Sequence, residues 1–305
     1  MIIAPGYIGI DISKDYLDVF DGTAQRIANR VDVIEAYVRD LVDAKLVLFE
    51  ATGRYDRSLQ QMLAAAGIRY ARVNPMHARA FARATGKLAK TDRIDARLLA
   101  SMAQALTPRP QAPTDPERLE LADLHRRRAQ LVAGRQQERT RLHTASAAIA
   151  PGIVAHIEWF DAQIKAIELK IAQLIGSSAT LALAQGLLRS IPGIGPVSAT
   201  TLLALMPELG RRSAKTIAAL GGLAPINRDS GQYRGQRSIA GGRAEVRRAL
   251  YMAALTASRS PSRFKSTFNA LTAQGKAPKL ALTAIARKLL VTANAILKSN
   301  QPFAT

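Results

Sequence analysis

Apolar and polar residues alternate along YIGIDISKDYLDVFDG (residues 7–22) with the period of a half-buried strand, and Asp21-Gly22 closes the run. The pattern predicts a strand, a turn and a second strand. VDVIEAYVRDLV then carries a helical period, and KLVLFEATG reads as a buried strand that stops at Thr52-Gly53. SLQQMLAAAG reads as a helix closed by glycine, and IRYARVNP as a strand ended by proline. This alternation of strand and helix predicts an α/β domain on a mixed sheet. In GKLAKTDRIDARLLASMA a further helix opens, with Thr91 as its cap.

TPRPQAPTDPE (107–117) holds four prolines in eleven residues and reads as a semi-rigid linker. Beyond it the pattern is helical, with a break at Pro151-Gly152. Leu121, Leu124, Leu131 and Leu142 fall in a loose heptad register before the break; Phe160, Ile164, Ile167, Ile171 and Leu174 keep a 4-3-4-3 spacing after it. This seam suits a helical hairpin or dimerisation arm and suits an intramolecular packing stripe equally. From residue 185 helices alternate with glycine-rich loops. The expected division is therefore 1–106, 107–184 and 185–305.

Charge changes the picture more than composition does. At 48% hydrophobic residues the 305-residue chain is not disordered, and two or three units fit its length. Its net charge is +20, which points to a polyanionic partner. Residues 1–100 hold 15 Lys+Arg against 12 Asp+Glu, whereas residues 181–305 hold 18 against 3. The C-terminal third thus reads as a phosphate-binding surface, and the near-neutral start holds most of the acids. The absence of cysteine excludes disulfides and Cys-based zinc sites and suits a reducing compartment. The opening residues lack the basic region and cleavage site of a signal peptide. The longest apolar tract, KLALTAIARKLLVTANAIL, is interrupted by Arg287 and Lys288 and reads as a packed helix rather than a membrane span.

Four acids hold telling positions. Asp11 ends the first strand and Glu50 a later one, while Asp92 and Asp95, three residues apart, share one face of a helix start. Strand ends beside a helix N-terminus are where an α/β sheet gathers its site. Crowded carboxylates either take up protons or bind cations, and an all-oxygen set favours Mg²⁺ or Mn²⁺. Two such ions would clamp the attacking and leaving oxygens of a phosphodiester.

Two further motifs stand in the basic part. SIPGIGPVSATTLLA (190–204) resembles the hairpin of helix–hairpin–helix DNA-binding modules, in which glycines such as Gly193 and Gly195 allow backbone N–H groups to meet a phosphate. In GGLAPINRDSGQYRGQRSIAGGRAEVRRALY, Ser230 lies in an Asp-Ser-Gly turn flanked by Arg228, Arg234, Arg237, Arg243, Arg247 and Arg248. These arginines support phosphate binding. A serine becomes a nucleophile only where its proton is removed and the developing charge is stabilised. Ser238, in RSIAGG, is the competing serine.

GIDISKDYLDV, FEATGRY, VNPMHARAFARATGKLAKTDRIDARLLA, SIPGIG and GGLAP…DSGQYRG…AGGRAEVRRALY resemble, in this order, the insertion-sequence transposases with an N-terminal DEDD, RuvC-like domain, to which the Piv and MooV invertases are related. The resemblance runs from about residue 7 to about residue 303. It implies an RNase H-like N-terminal domain, a helical arm and a mainly α C-terminal domain. It places the DEDD acids on Asp11, Glu50, Asp92 and Asp95, with Mg²⁺ bound there, and the catalytic serine on Ser230. It further implies a serine linked to the DNA backbone, a non-coding bridge RNA that chooses donor and target DNA, and dimers or tetramers of the protein. The setting it implies is a prokaryotic cytoplasm, beside the nucleoid and away from membranes. GGLAP replaces the commoner AGLAP, and the stretch between Asp11 and Glu50 is short.

Two other activities use parts of the same pattern. A Holliday-junction-type metal-dependent nuclease would use the four acids and leave Ser230 idle. An actin-like ATPase would use the IGIDISKDYLDV hairpin for phosphate, but no later glycine-rich adenosine loop occurs.

Overall fold

The computed structural model describes residues 2–304 except 42, 52, 54, 87–91, 112–114, 228, 231, 232 and 236; for 92–94, 229, 230, 233 and 234 it describes the backbone element only. The chain divides into two compact units, residues 1–113 and 114–305.

The first unit carries a five-stranded sheet. Its elements are β1 (Tyr7–Ile12), β2 (Tyr16–Phe20), β3 (Ala24–Ala28), α1 (Val31–Arg39), β4 (Leu46–Glu50), α2 (Arg57–Ala65), β5 (Tyr70–Val73), α3 (Pro75–Ala84) and α4 (Asp92–Leu106). The strand order is β3-β2-β1-β4-β5. β1, β2 and β3 form an antiparallel meander, and β4 and β5 join parallel to β1. The mixed α/β sheet expected from the alternation is present. β3 is an addition: AQRIA is mostly exposed and pairs only with β2, so its sequence carries no burial pattern to reveal it.

Side chains alternate between two cores, as the pleat requires. Ile8, Ile10, Leu17, Val19, Val47 and Phe49 pack with Ile34 of α1 and with Leu59 and Leu63 of α2. On the other face, Leu46, Leu48, Ala71 and Val73 pack with Leu99, Met102 and Ala103 of α4. The cap expected of Thr91 lies outside the described residues.

The second unit is mainly helical: α5 (Pro116–Leu142), α6 (Ala150–Ser177), α7 (Ala179–Arg189), α8 (Pro196–Leu205), α9 (Ala214–Leu220), four two-residue strands β6 (Pro225–Ile226), β7 (Asp229–Ser230), β8 (Tyr233–Arg234) and β9 (Ser238–Ile239), then α10 (Ala244–Arg259), α11 (Arg263–Ala273) and α12 (Pro278–Ser299). α5 and α6 pack on each other. Phe160 of α6 sits against Gly134 of α5, where a Cβ would stand 2.7 Å from the ring. Arg128–Glu168 (2.6 Å) and Arg135–Asp161 ion pairs flank that contact. At least part of the apolar seam of α6 therefore faces α5. Pro151-Gly152 does not break a helix as expected. It stands in the first turn of α6, where proline has no intrahelical hydrogen bond to lose. α12 is long and apolar enough to cross a membrane, yet Ile285, Leu289, Leu290 and Ala293 are fully buried in the core of this unit.

Candidate catalytic acids and the serine loop

The position of the acids follows from one close approach. Gly9 on β1 lies against the backbone of α4: a Cβ there would stand 2.0 Å from the Ala96 carbonyl oxygen and 2.4 Å from the Ala100 nitrogen. Earlier in the chain, the Ala4 N–H donates to the Gln104 side chain at 2.7 Å. Going up β1 thus means going down α4, so the helix runs antiparallel to the strand and brings its N-terminus to the strand's C-terminal end. From the Gly9 contact, Asp11 lies about 7 Å further along the strand. Asp92 lies about 6 Å back along the helix from Ala96, and Asp95 is Ala96's neighbour.

Register places Glu50 beside Asp11. Ile10 of β1 pairs with Phe49 of β4, so the next residues, Asp11 and Glu50, stand at one level of adjacent parallel strands. Both share the face of Gly9 and Leu48, the face covered by α4, and both are half-buried. The structure therefore brings Asp11, Glu50 and the first turn of α4 to one end of the sheet. The Asp92 side chain lies outside the described residues. Among the described residues, no three acids or histidines are grouped closely enough to hold a metal ion.

Sequence reasoning passed over a fifth acid. Asp18 on β2 is directly opposite Asp11 and is 4% exposed. Arg26, opposite Asp18 on β3, donates from Nε at 2.9 Å and from a terminal nitrogen at 2.8 Å to its two oxygens. Arg26, Asp18, Asp11 and Glu50 thus form a charged row across four strands. Both Asp18 oxygens are engaged by the guanidinium; Asp11 and Glu50, at the strand ends beside α4, are the row's candidate metal ligands by position. Their all-oxygen chemistry fits Mg²⁺ or Mn²⁺. Asn29 is a second residue missed: its side-chain amide donates to Ser13 O at 2.8 Å and to Tyr55 O at 3.1 Å. It ties the loop after Asp11 to the loop after Glu50. A half-buried asparagine at a strand end gives no signal in sequence.

In the second unit the segment around Ser230 is two nested ladders. β6 and β9 close the base, with Ser238 opposite Ile226; β7 and β8 form the outer hairpin, with Ser230 opposite Tyr233. Ser230 is the last residue of β7, whereas Ser238 belongs to the base.

Two glycine turns lock that base. Gly222 and Gly242, both with positive φ, touch so closely that a Cβ on Gly242 would stand 2.2 Å from the Gly222 nitrogen. Arg247 donates to Gly241 O at 2.8 Å, and Arg243 makes a two-pronged ion pair with Glu208 at 2.8 and 2.6 Å. Two of the six arginines therefore brace the loop. Arg237 and Arg248 are exposed. Arg228 and the Arg234 side chain lie outside the described residues.

The SIPGIG segment joins α7 to α8 as a helical hairpin. Gly193 (φ +89) packs on α10, where a Cβ would stand 2.4 Å from Ala253 O. Gly195 faces open space at the N-terminus of α8, which no side chain caps. Of the two glycines, Gly195 is the one a phosphate can approach.

Comparisons with known proteins agree in both units. Residues 8–151 match the model of the DEDD transposases of the IS110 type, and residues 185–269 that of the transposase IS116/IS110/IS902 family. The pilin gene-inverting proteins of Moraxella lacunata and Moraxella bovis are each 30% identical to the chain over 314 aligned positions, covering 97% of both sequences. With both domains matched and a full-length relative at this identity, the chain belongs to the IS110/IS116 family of transposases and gene-inverting recombinases, enzymes of DNA strand transfer.

Proposed function

We propose that this protein cuts and rejoins DNA by way of a serine–phosphate intermediate on Ser230, assisted by divalent metal at Asp11, Glu50, Asp92 and Asp95. The observation that carries the reading is the gathering of Asp11, Glu50 and the α4 N-terminus at one end of the sheet. The strand order, an antiparallel meander followed by two parallel strands, supports an RNase H-like fold for the first unit. Mg²⁺, or Mn²⁺, bound by the acids would supply charge stabilisation at the phosphoryl group.

In the first step the Ser230 oxygen attacks a DNA phosphorus as the bond to the leaving strand oxygen breaks. The proton lost by the serine balances the one taken up by the leaving oxygen. In the second step a hydroxyl of the partner strand attacks the phosphoserine and restores the serine. The number of phosphodiester bonds is conserved, so no external energy source is needed. Arginines of the loop would favour the charged transition state.

The 18-against-3 charge of residues 181–305 supports binding of donor and target DNA and of a bridge RNA as guide. Exposed Ile149, Val154 and Trp159 on the α5–α6 arm support assembly as dimers or tetramers.

The test is to trap protein–DNA adducts on denaturing gels with wild type, Ser230→Ala and Ser238→Ala. Adducts lost only in Ser230→Ala are expected. Adducts that persist there and vanish in Ser238→Ala would move the nucleophile to Ser238. Metal-dependent cleavage with no adduct in any variant would return the protein to the nuclease reading.

A further inference from the structure

We propose that the groove between α11 and α12 is a DNA-backbone site, separate from the arginines of the serine loop. Ala284, Arg287, Lys288, Val291 and Thr292 of α12 line one wall with helical i, i+3, i+4, i+7, i+8 spacing; Arg263, Phe264 and Thr267 of α11 line the other. The cavity measures about 590 Å³, and among the described residues no carboxylate lines it. None is close in sequence either, since residues 246–305 hold ten Lys+Arg and no Asp or Glu.

Cations gathered without acids repel one another, and binding a polyanion relieves that repulsion. Arg263 is also held in place: its guanidinium lies 4.3 Å over the Phe303 ring and 5.4 Å over Phe264. Phe303 is fixed in turn by its N–H, which donates to Ser190 Oγ at 2.8 Å. A pre-set guanidinium, two further cations and the Thr292 hydroxyl suit successive phosphates of one strand. α12 lies beyond residue 269, where the family match of this unit ends. The choice of DNA as the polyanion rests on the assignment of the chain to DNA recombination.

The experiment is a salt titration of full-length protein binding to a random-sequence 30-base-pair duplex. A variant with Arg263→Gln, Arg287→Gln and Lys288→Gln is compared with a control carrying Lys276→Gln and Lys298→Gln, neither of which lines the groove. Each lost phosphate contact lowers the slope of log affinity against log salt by about 0.9. Three lost contacts at about 0.9 each should take roughly 2.7 from the slope of the groove variant, and the control should lose less than about a quarter of that. No loss, or a comparable loss per charge in the control, would overturn the site. A loss seen with single-stranded RNA of equal length but not with the duplex would overturn the choice of DNA. Since binding rather than recombination is read, either failure leaves the proposed serine chemistry untouched.

Discussion

Gly9 of β1 and Ala96 of α4 approach so closely that a methyl group on the glycine would lie 2.0 Å from the alanine carbonyl oxygen. The neighbouring obstacles, Ala100 N and Leu99 C, are also backbone atoms and cannot swing aside as a side-chain end could. The closeness of helix and strand sets the height of Asp92 and Asp95 above Asp11.

Gly9→Ala is therefore expected to push α4 away from the sheet. Overpacking of this kind costs about 1–3 kcal/mol, seen as a lower urea midpoint. Recombination should fall further than the stability loss explains, because the two halves of the acid site separate. Wild-type activity in a folded Gly9→Ala protein would show that the helix height is not critical.

Asp11→Asn, Glu50→Gln, Asp92→Asn and Asp95→Asn are each expected to abolish recombination while circular dichroism stays that of wild type. A crowded oxygen site that loses one ligand loses the geometry of its metal. Asp18→Asn should behave differently. It weakens the pairing of Arg26 and costs about 1–3 kcal/mol, discounted because Arg26 is half exposed. The Mn²⁺ concentration needed for activity should change little. A large rise in that concentration would make Asp18 a ligand.

Asn29→Ala removes the side-chain hydrogen bonds to Ser13 O and Tyr55 O that tie the loop after β1 to the loop after β4. The expected loss is about 1–2 kcal/mol of stability, with recombination reduced by misalignment of Asp11 and Glu50. Activity that simply tracks the folded fraction across temperature would reduce Asn29 to a stabilising residue.

The Glu208–Arg243 pair predicts a pH dependence. Burial pushes the Glu208 carboxyl up, but the hydrogen bonds and charge of Arg243, aided by Arg212, outweigh burial and hold it below its ordinary value of 4.5. A carboxylate with a lowered pKa in the folded state stabilises the fold above its unfolded value; that contribution is lost as pH falls below about 4.5. Thermal unfolding of wild type and Glu208→Gln should therefore differ at pH 7 and converge toward pH 3. Equal stability at pH 7 would remove the pair from the bracing of the serine loop.

Much of the first unit is legible in local pattern alone. The alternation in residues 7–22 and the apolar run before Glu50 specify β1, β2 and β4, because a pleated strand with a buried face has a period of two. The strand ends then mark Asp11 and Glu50. The motif order identifies the family, and the distribution of lysine and arginine points to a polyanion.

Other features depend on register and on packing partners, which local pattern does not carry. The heptad spacing of α6 describes an apolar stripe but names no partner; contact of Phe160 with Gly134 shows that α5 meets it within the chain. Asp18 looks like one of several polar residues in an alternating strand, and only cross-strand pairing places it opposite Asp11 and under Arg26. The serine loop offers no periodicity, because two-residue ladders are too short to have one. What holds its base is the meeting of Gly222 with Gly242 and of Glu208 with Arg243. Local pattern records which face of an element is apolar. Which faces meet, and which charges then stand side by side, is set by contacts between residues far apart in the chain.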